Sequence, residues 1–220
     1  MGYDLCLFDL DGTLTDPKIG ITRSFQYALS YFGIVEETEN LTRFIGPPLR
    51  ESFSEYSLST SEISIAVEKY REYFARTGIF ENTLYDGIPE LLNRLVDYEI
   101  ILGVATNKPT IYARRILEHF MLDSYFSFVS GDELDGSNTT MGKRDIISIA
   151  LDNLDMTRSL VAVMIGDRKN DILGAADTRI DSIGITWGYG SIDELKEAGA
   201  TQIATSVTEL YSMITGGARD

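Results

Sequence analysis

Tyr3-Asp4-Leu5-Cys6-Leu7-Phe8-Asp9-Leu10-Asp11-Gly12-Thr13-Leu14-Thr15 decides how the rest of this 220-residue chain is read. The apolar run from Tyr3 to Phe8 is short and bounded by acidic loop residues, which suits a buried strand. Asp9 and Asp11 then stand at its exit. Residues two apart on an extended segment point the same way, but Asp11-Gly12 already turns, so the two carboxylates need not be parallel. An acidic strand exit with an Asp-Gly turn accounts for the same residues, and the stretch alone leaves both readings open. A calcium loop also begins with alternating Asp, but needs Gly at its sixth position. Leu14 stands there, which removes that reading.

Working outward, similar apolar runs recur at Ile100 to Ala105, Phe126 to Val129, Leu160 to Ile165 and Ser182 to Ile185, with a weaker one at Gln202 to Ala204. Helical stripes lie between them: Ile88, Leu91, Leu92, Leu95 and Val96 in one, Ile146, Ile147, Ala150, Leu151 and Leu154 in another. Ser191 with Glu194 and Ser206 with Glu209 have capping-box spacing and should start two late helices. Strands alternating with helices predict an α/β fold, a Rossmann-like doubly wound parallel sheet covered on both faces.

The stretch from Asp16 to Phe80 breaks the alternation. Asp16-Pro17 reads as an N-cap followed by proline at the first helical position. Ile21, Phe25, Ala28, Leu29 and Phe32 repeat at helical spacing, and Gly33 supplies a stop. Beyond the Gly46-Pro47-Pro48 turn, Ile63, Val67, Tyr70 and Phe74 predict a long helix ending near Gly78. The expected organisation is therefore a core of residues 1–15 and 81–220 with a small all-helical domain, 16–80, inserted after the first strand.

Composition narrows the function. The chain is 44% hydrophobic and 24% charged, an ordinary globular profile. Its formal charge of −15 argues against a broad basic face for nucleic acid polymers or anionic membrane, but leaves room for a small phosphorylated metabolite beside a metal. One cysteine, Cys6, forbids an internal disulfide and suits a reducing compartment. With no basic leader and no long apolar stretch, the expected location is cytoplasmic.

Three more features fall at strand ends, where ligands of open parallel sheets bind. Thr106-Asn107-Lys108-Pro109 ends the second run; its hydroxyl, amide and nearby N–H groups suit a phosphate oxygen or a simple helix start. Lys143 lies in Met141-Gly142-Lys143-Arg144. Gly136 to Lys143 is no P-loop: five residues separate Gly136 from Gly142 where four are required, and Arg144 replaces the needed Ser or Thr. Gly166-Asp167-Arg168-Lys169-Asn170-Asp171 follows the Leu160 to Ile165 run. Asp167 and Asp171 there, with Asp9 and Asp11, would repel one another without a hard cation between them, and Mg²⁺ takes oxygen ligands and shares its sphere with phosphate.

With these four ordered motifs, Asp9-x-Asp11-Gly12-Thr13, Thr106-Asn107, Lys143 and Gly166-Asp167-x-x-x-Asp171, the chain resembles the haloacid dehalogenase superfamily of phosphatases over its whole length. The helical insertion resembles that superfamily's cap domain. Phe44-Ile45-Gly46-Pro47-Pro48-Leu49 and Trp187-Gly188-Tyr189-Gly190 are similar to the bacterial 5′-nucleotidase group of its phosphoglycolate phosphatase branch. The lysine segment lacks the Lys-Pro-x-Pro form common among relatives, which leaves Arg144 as an alternative to Lys143. The resemblance implies a nucleophile at Asp9, an acid and base at Asp11, and phosphoryl-holding roles for Thr106, Asn107 and Lys143. It implies Mg²⁺ held by Asp9, the Asp11 backbone carbonyl, Asp167 and Asp171. Arg50, beside Pro47-Pro48-Leu49, becomes a candidate substrate contact from the cap. Hydrolysis of a nucleoside 5′-monophosphate or of phosphoglycolate is the expected activity, by a monomer or weak homodimer. A phosphosugar mutase on the same scaffold is the alternative, although such mutases favour an acidic pair where this chain has Asp167-Arg168. A non-catalytic phospholigand binder would be expected to lack Asp9 or Asp11, and both are present.

Overall fold

The structure, a computed structural model, describes residues 2–134, 141–152 and 160–217. In chain order, β1 (Leu5–Phe8) and the short β2 (Thr15–Asp16) precede helices α1 (Lys18–Ser30), α2 (Thr38–Leu41), α3 (Leu49–Ser54) and α4 (Thr60–Arg76). Then come β3 (Thr83–Leu84), α5 (Ile88–Asp97), β4 (Ile101–Pro109), α6 (Thr110–His119), β5 (Phe128–Asp132) and α7 (Lys143–Asp152). The chain ends with β6 (Ala162–Gly166), α8 (Lys169–Thr178), β7 (Asp181–Ile185), α9 (Ile192–Glu197), β8 (Gln202–Ala204) and α10 (Val207–Ile214). Two compact units result, Met1–Thr15 with Leu84–Asp220, and Asp16–Thr83. The second crossing thus falls three residues later than the expected 80/81: Glu81 stays with the helices, its carbonyl accepting from the Gly20 amide at 3.0 Å and its carboxylate pairing with Arg23.

In the larger unit six strands form a sheet in the order β5-β4-β1-β6-β7-β8, every pair parallel. All four residues of β1 are fully buried, as a central strand covered on both faces demands. Leu5 and Leu7 pack with Ala105, Met164 and the α7 residues Ile146, Ile147 and Ala150. From β1 the chain goes on to β4 and β5 on one side; from β6 it goes on to β7 and β8 on the other. The connections diverge between β1 and β6, and an open parallel sheet offers its ligand crevice beyond the strand ends at that point.

Helix starts follow the sequence where a side chain caps them. Ser191 Oγ accepts from the Glu194 amide at 3.0 Å, and Ser206 Oγ from the Glu209 amide at 3.2 Å. Two readings need correction. Val96 is 44% exposed, because it sits about 80° around α5 from Ile88, at the edge of an arc that Leu91, Leu92 and Leu95 fill. β4 runs on through Pro109 instead of stopping at Ala105, so the 106–108 segment belongs to the strand and not to a helix start. Leu154, assigned to the α7 stripe, lies outside the described residues. Among the described residues no helix is long and apolar enough to cross a membrane.

The smaller unit is helical. α1 begins at Lys18, one residue later than the proline rule suggested, with Asp16 Oδ1 accepting from the Lys18 amide at 2.9 Å. Phe25 centres its core, with ring centroids 5.1 Å from Phe44, 4.8 Å from Phe53 and 5.0 Å from Tyr70. The Phe44-to-Leu49 motif is the turn that seats this cluster: Phe44 and Ile45 are buried, Gly46 takes a φ of 104°, and Pro48 leads into α3. Ser59 and Glu62 form a reciprocal capping box at the start of α4. Phe25→Ala should cost about 3–5 kcal/mol of unfolding free energy, the usual range for emptying a buried phenylalanine site. Chemical denaturation followed by far-ultraviolet circular dichroism measures it; a loss below about 1 kcal/mol would remove Phe25 from the centre of this core.

Candidate active site

The four motifs meet at the divergence of β1 and β6. Asp9 directly follows β1, and its amide donates to Ile165 O of β6 at 2.9 Å. Asp167 directly follows β6, and Asp171 sits in the first turn of α8, where its Oδ2 accepts from the Arg168 amide at 3.1 Å. One carboxylate oxygen from each of Asp9, Asp167 and Asp171 lies within 4.8 Å of the others, and all three residues are buried.

Lys143, the first residue of α7, reaches into this cluster. Its Nζ donates to Asp9 Oδ1 at 3.0 Å and to Ala105 O at 3.0 Å, and pairs with Asp171 Oδ1 at 2.7 Å. Arg144 is exposed, so of the two cations it is Lys143 that reaches the acidic cluster. Burial alone would push the Lys143 ammonium down, and Asp171 and Asp9 more than offset it, so the group stays charged.

A turn after β6's neighbour, β7, holds the cluster from behind. The Tyr189 amide donates to Asp167 Oδ2 at 2.7 Å, and the Trp187 indole donates to Thr13 O at 3.1 Å. Gly12 takes a φ of 87° and lies where a Cβ would run into the Asp167 carboxylate. The glycine of the Asp-Gly turn is thus required twice, by its backbone angle and by close approach.

Asp11 belongs to a second pair. Its Oδ2 lies 2.7 Å from Lys108 Nζ, a residue the sequence reading passed over. Burial pushes the Asp11 carboxyl up, and Lys108 opposes that shift. Thr106 is buried, with its Oγ1 accepting from the Lys108 amide at 3.3 Å. Asn107 turns its amide nitrogen to Met141 O at 3.1 Å, tying this segment to the approach to α7. Arg50 lies in the smaller unit, where its guanidinium donates to Ser64 Oγ at 3.1 Å.

The charge balance is the chemical signature. Four carboxylates (Asp9, Asp11, Asp167, Asp171) face two ammonium groups (Lys108, Lys143), leaving two negative charges when all are ionised. Burial first, then Asp171 and Asp9, push the Asp167 carboxyl up to about 8, and burial raises Asp171 as well. A compact, oxygen-only, electron-rich cluster of this kind fits a small hard dication such as Mg²⁺.

Residues 6–185 match the model of the haloacid dehalogenase-like hydrolase family. A 5′-nucleotidase of Pseudomonas aeruginosa is 44% identical over 214 residues, 96% of each chain. A tyrosine-protein kinase, PtkA, of Mycobacterium tuberculosis is 38% identical over 205 residues, 93% of this chain and 69% of that one. A crystal structure described as a predicted phosphatase from Clostridium acetobutylicum is 47% identical, with a TM-score of 0.90 over 97% of this chain and 99% of that one. The chain belongs to the haloacid dehalogenase-like hydrolase family. Within that family it is a phosphatase.

The raised Asp167 carboxyl makes a pH prediction for the protein kept in EDTA. Between its ordinary value of 3.8 and about 8, this group holds a proton in the folded chain that it has lost in the unfolded one. Stability therefore falls as pH rises through that window. Asp167→Asn should flatten this decline in melting temperature between pH 5 and pH 8, and Mg²⁺ should raise the wild-type value more at pH 8 than at pH 5. Parallel melting curves for wild type and Asp167→Asn across that range would contradict the buried-charge assignment.

Proposed function

We propose that this phosphatase hydrolyses small phosphate monoesters in two displacements at Asp9, with Mg²⁺ as cofactor and a nucleoside 5′-monophosphate as its leading substrate. The observation that carries the reading is the meeting, at the divergence of β1 and β6, of a nucleophile-bearing acidic cluster with a second carboxyl that keeps one oxygen unengaged. In the first displacement an Asp9 carboxylate oxygen bonds to phosphorus as the ester P–O bond breaks. Asp11 delivers a proton to the departing alcohol oxygen, and its raised carboxyl favours carrying that proton. In the second, water attacks the aspartyl-phosphate while Asp11 takes a proton back, releasing inorganic phosphate and restoring Asp9.

Lys143 orients Asp9 and offers its charge to the phosphoryl oxygens, with Thr106 and Asn107 beside them. Asp9, Asp167 and the Asp11 carbonyl would hold Mg²⁺, with Asp171 in support. When bound, the ion supplies positive charge that lets an anionic nucleophile meet an anionic phosphate. The core residues address only the phosphoryl group, so we assign choice of the leaving group to the helical insertion, with Arg50 as its contact. The identity to the Pseudomonas aeruginosa 5′-nucleotidase supports a nucleoside leaving group. Arg168 pairs with Glu194, its Nε 3.0 Å from Oε1, where a mutase would carry a second acid.

Phosphate release tests the reading on adenosine 5′-monophosphate, phosphoglycolate, phosphotyrosine and β-glucose 1-phosphate with Mg²⁺. Adenosine 5′-monophosphate should be turned over fastest, and Asp9→Asn should lose at least about a thousandfold in kcat, about 4 kcal/mol of transition-state stabilisation. Arg50→Ala should raise KM for the nucleotide more than for phosphoglycolate. Turnover retained in Asp9→Asn would remove the nucleophile, and phosphate exchange without net release would favour the mutase.

A further inference from the structure

Of the two ammonium groups that meet the acidic residues among the described residues, Lys108 is the one to which the four motifs assign no task. Its placement depends on an irregularity in the sheet. Ala105 is opposite Ser130 and Pro109 is opposite Asp132, so four steps along β4 cover two along β5. Thr106, Asn107 and Lys108 therefore bulge outward across from Gly131, and a bulge at a strand end re-aims the side chains it carries. A Cβ at position 131 would strike Lys108 O and would lie 3.0 Å from the Thr110 amide nitrogen. Glycine is what lets the bulge close up.

The bulge delivers the Lys108 ammonium to Asp11 Oδ2 at 2.7 Å, with only 6% and 13% of the two side chains exposed. The other oxygen, Asp11 Oδ1, is buried and finds no hydrogen-bond partner among the described residues. A buried carboxyl oxygen left unpaired costs free energy, and such atoms call for an explanation. Lys143 does not provide one, since its ammonium is engaged by Asp9, Asp171 and the Ala105 carbonyl.

We infer that Lys108 is a positioning residue for proton transfer, holding Asp11 by Oδ2 so that Oδ1 carries the proton and faces the leaving oxygen. The chemistry of an ammonium makes this assignment one-sided. It has three donors and no acceptor, so the oxygen it touches must present a lone pair. In the neutral carboxyl the proton then resides on Oδ1. As the ester P–O bond breaks, that proton passes to the departing alkoxide and its bonding pair stays on Oδ1. When water later attacks the aspartyl-phosphate, the same oxygen recovers a proton. The inference rests on the proposed role of Asp11 as acid, and it divides the two buried lysines between the two half-tasks: Lys143 serves the nucleophile and Lys108 the acid.

A leaving group that needs no proton separates this role from others. kcat/KM is measured on p-nitrophenyl phosphate and on the faster of adenosine 5′-monophosphate and phosphoglycolate, in wild type, Asp11→Asn, Lys108→Met and Lys108→Arg. Asp11→Asn should lose about a hundredfold or more on the alkyl ester and far less on the aryl ester. Lys108→Met should follow the same pattern, losing about 50-fold on the alkyl ester and less than about 5-fold on the aryl one, with Lys108→Arg restoring most of the loss. Should Lys108→Met fail to fold, Lys108→Gln, which keeps a donor without the charge, should show the same selectivity with a smaller loss. Equal losses on both esters would put the ammonium on the phosphoryl group and overturn the inference, as would an unchanged alkyl rate. A uniform loss in Asp11→Asn would instead overturn the acid assignment beneath it, and no turnover by wild type would overturn both.

Discussion

Three carboxylates, Asp9, Asp167 and Asp171, share one buried corner of the sheet with a single ammonium, that of Lys143. Buried like charges cost several kcal/mol each unless they are neutralised, protonated or bound to a metal. Every neighbouring feature bears on that constraint. The divergence of β1 and β6 opens the corner, Gly12 lets the first loop close against Asp167, and the Tyr189 amide satisfies one oxygen of Asp167. The raised carboxyl of Asp167 registers the tension that remains. The negative charge that destabilises this corner suits it to a dication, and a dication there would offset the repulsion between the carboxylates and an anionic phosphoryl group.

The two lysines show how the fold keeps adjacent acids distinct. Asp9 and Asp11 are two residues apart, yet one is paired with Lys143 from α7 and the other with Lys108 from β4. In the proposed mechanism Asp9 must be anionic and Asp11 must hold a proton, so identical environments would defeat both. Environments differing in partner and burial are the general means by which neighbouring carboxyls take opposite roles. The Asp11-Gly12 turn, where Gly12 takes a φ of 87°, is where the backbone leaves the extended path of β1 between these two environments.

Much of this was legible in the sequence. The buried strand at Leu5–Phe8 could be read because a central parallel strand needs apolar residues on both faces, and the capping serines 191 and 206 because their partners lie three residues away. The acidic residues at the ends of two strands could be read together because a single hard cation would explain them. What could not be read is non-local. The bulge at 106–108 is permitted by Gly131 on the neighbouring strand, and the Lys108–Asp11 pair follows from the bulge. Nothing within the Thr106-Asn107-Lys108 segment announces either. Trp187-Gly188-Tyr189-Gly190 was legible as a motif but not as a clamp, since its indole and amide act on residues 174 and 22 positions away. Val96 shows the opposite limit: periodicity counts an apolar residue in, and only the packed arc shows that its side is open.

The account stands on the acidic corner being a cation site, and diffraction at the manganese edge from crystals grown with Mn²⁺ tests that most directly. The expected result is one strong anomalous peak within about 2.2 Å of carboxylate oxygens from both Asp9 and Asp167, close to the short bonds of a hard octahedral dication. An empty corner, with the Lys143 ammonium still spanning Asp9 and Asp171 and manganese bound elsewhere or nowhere, would contradict it.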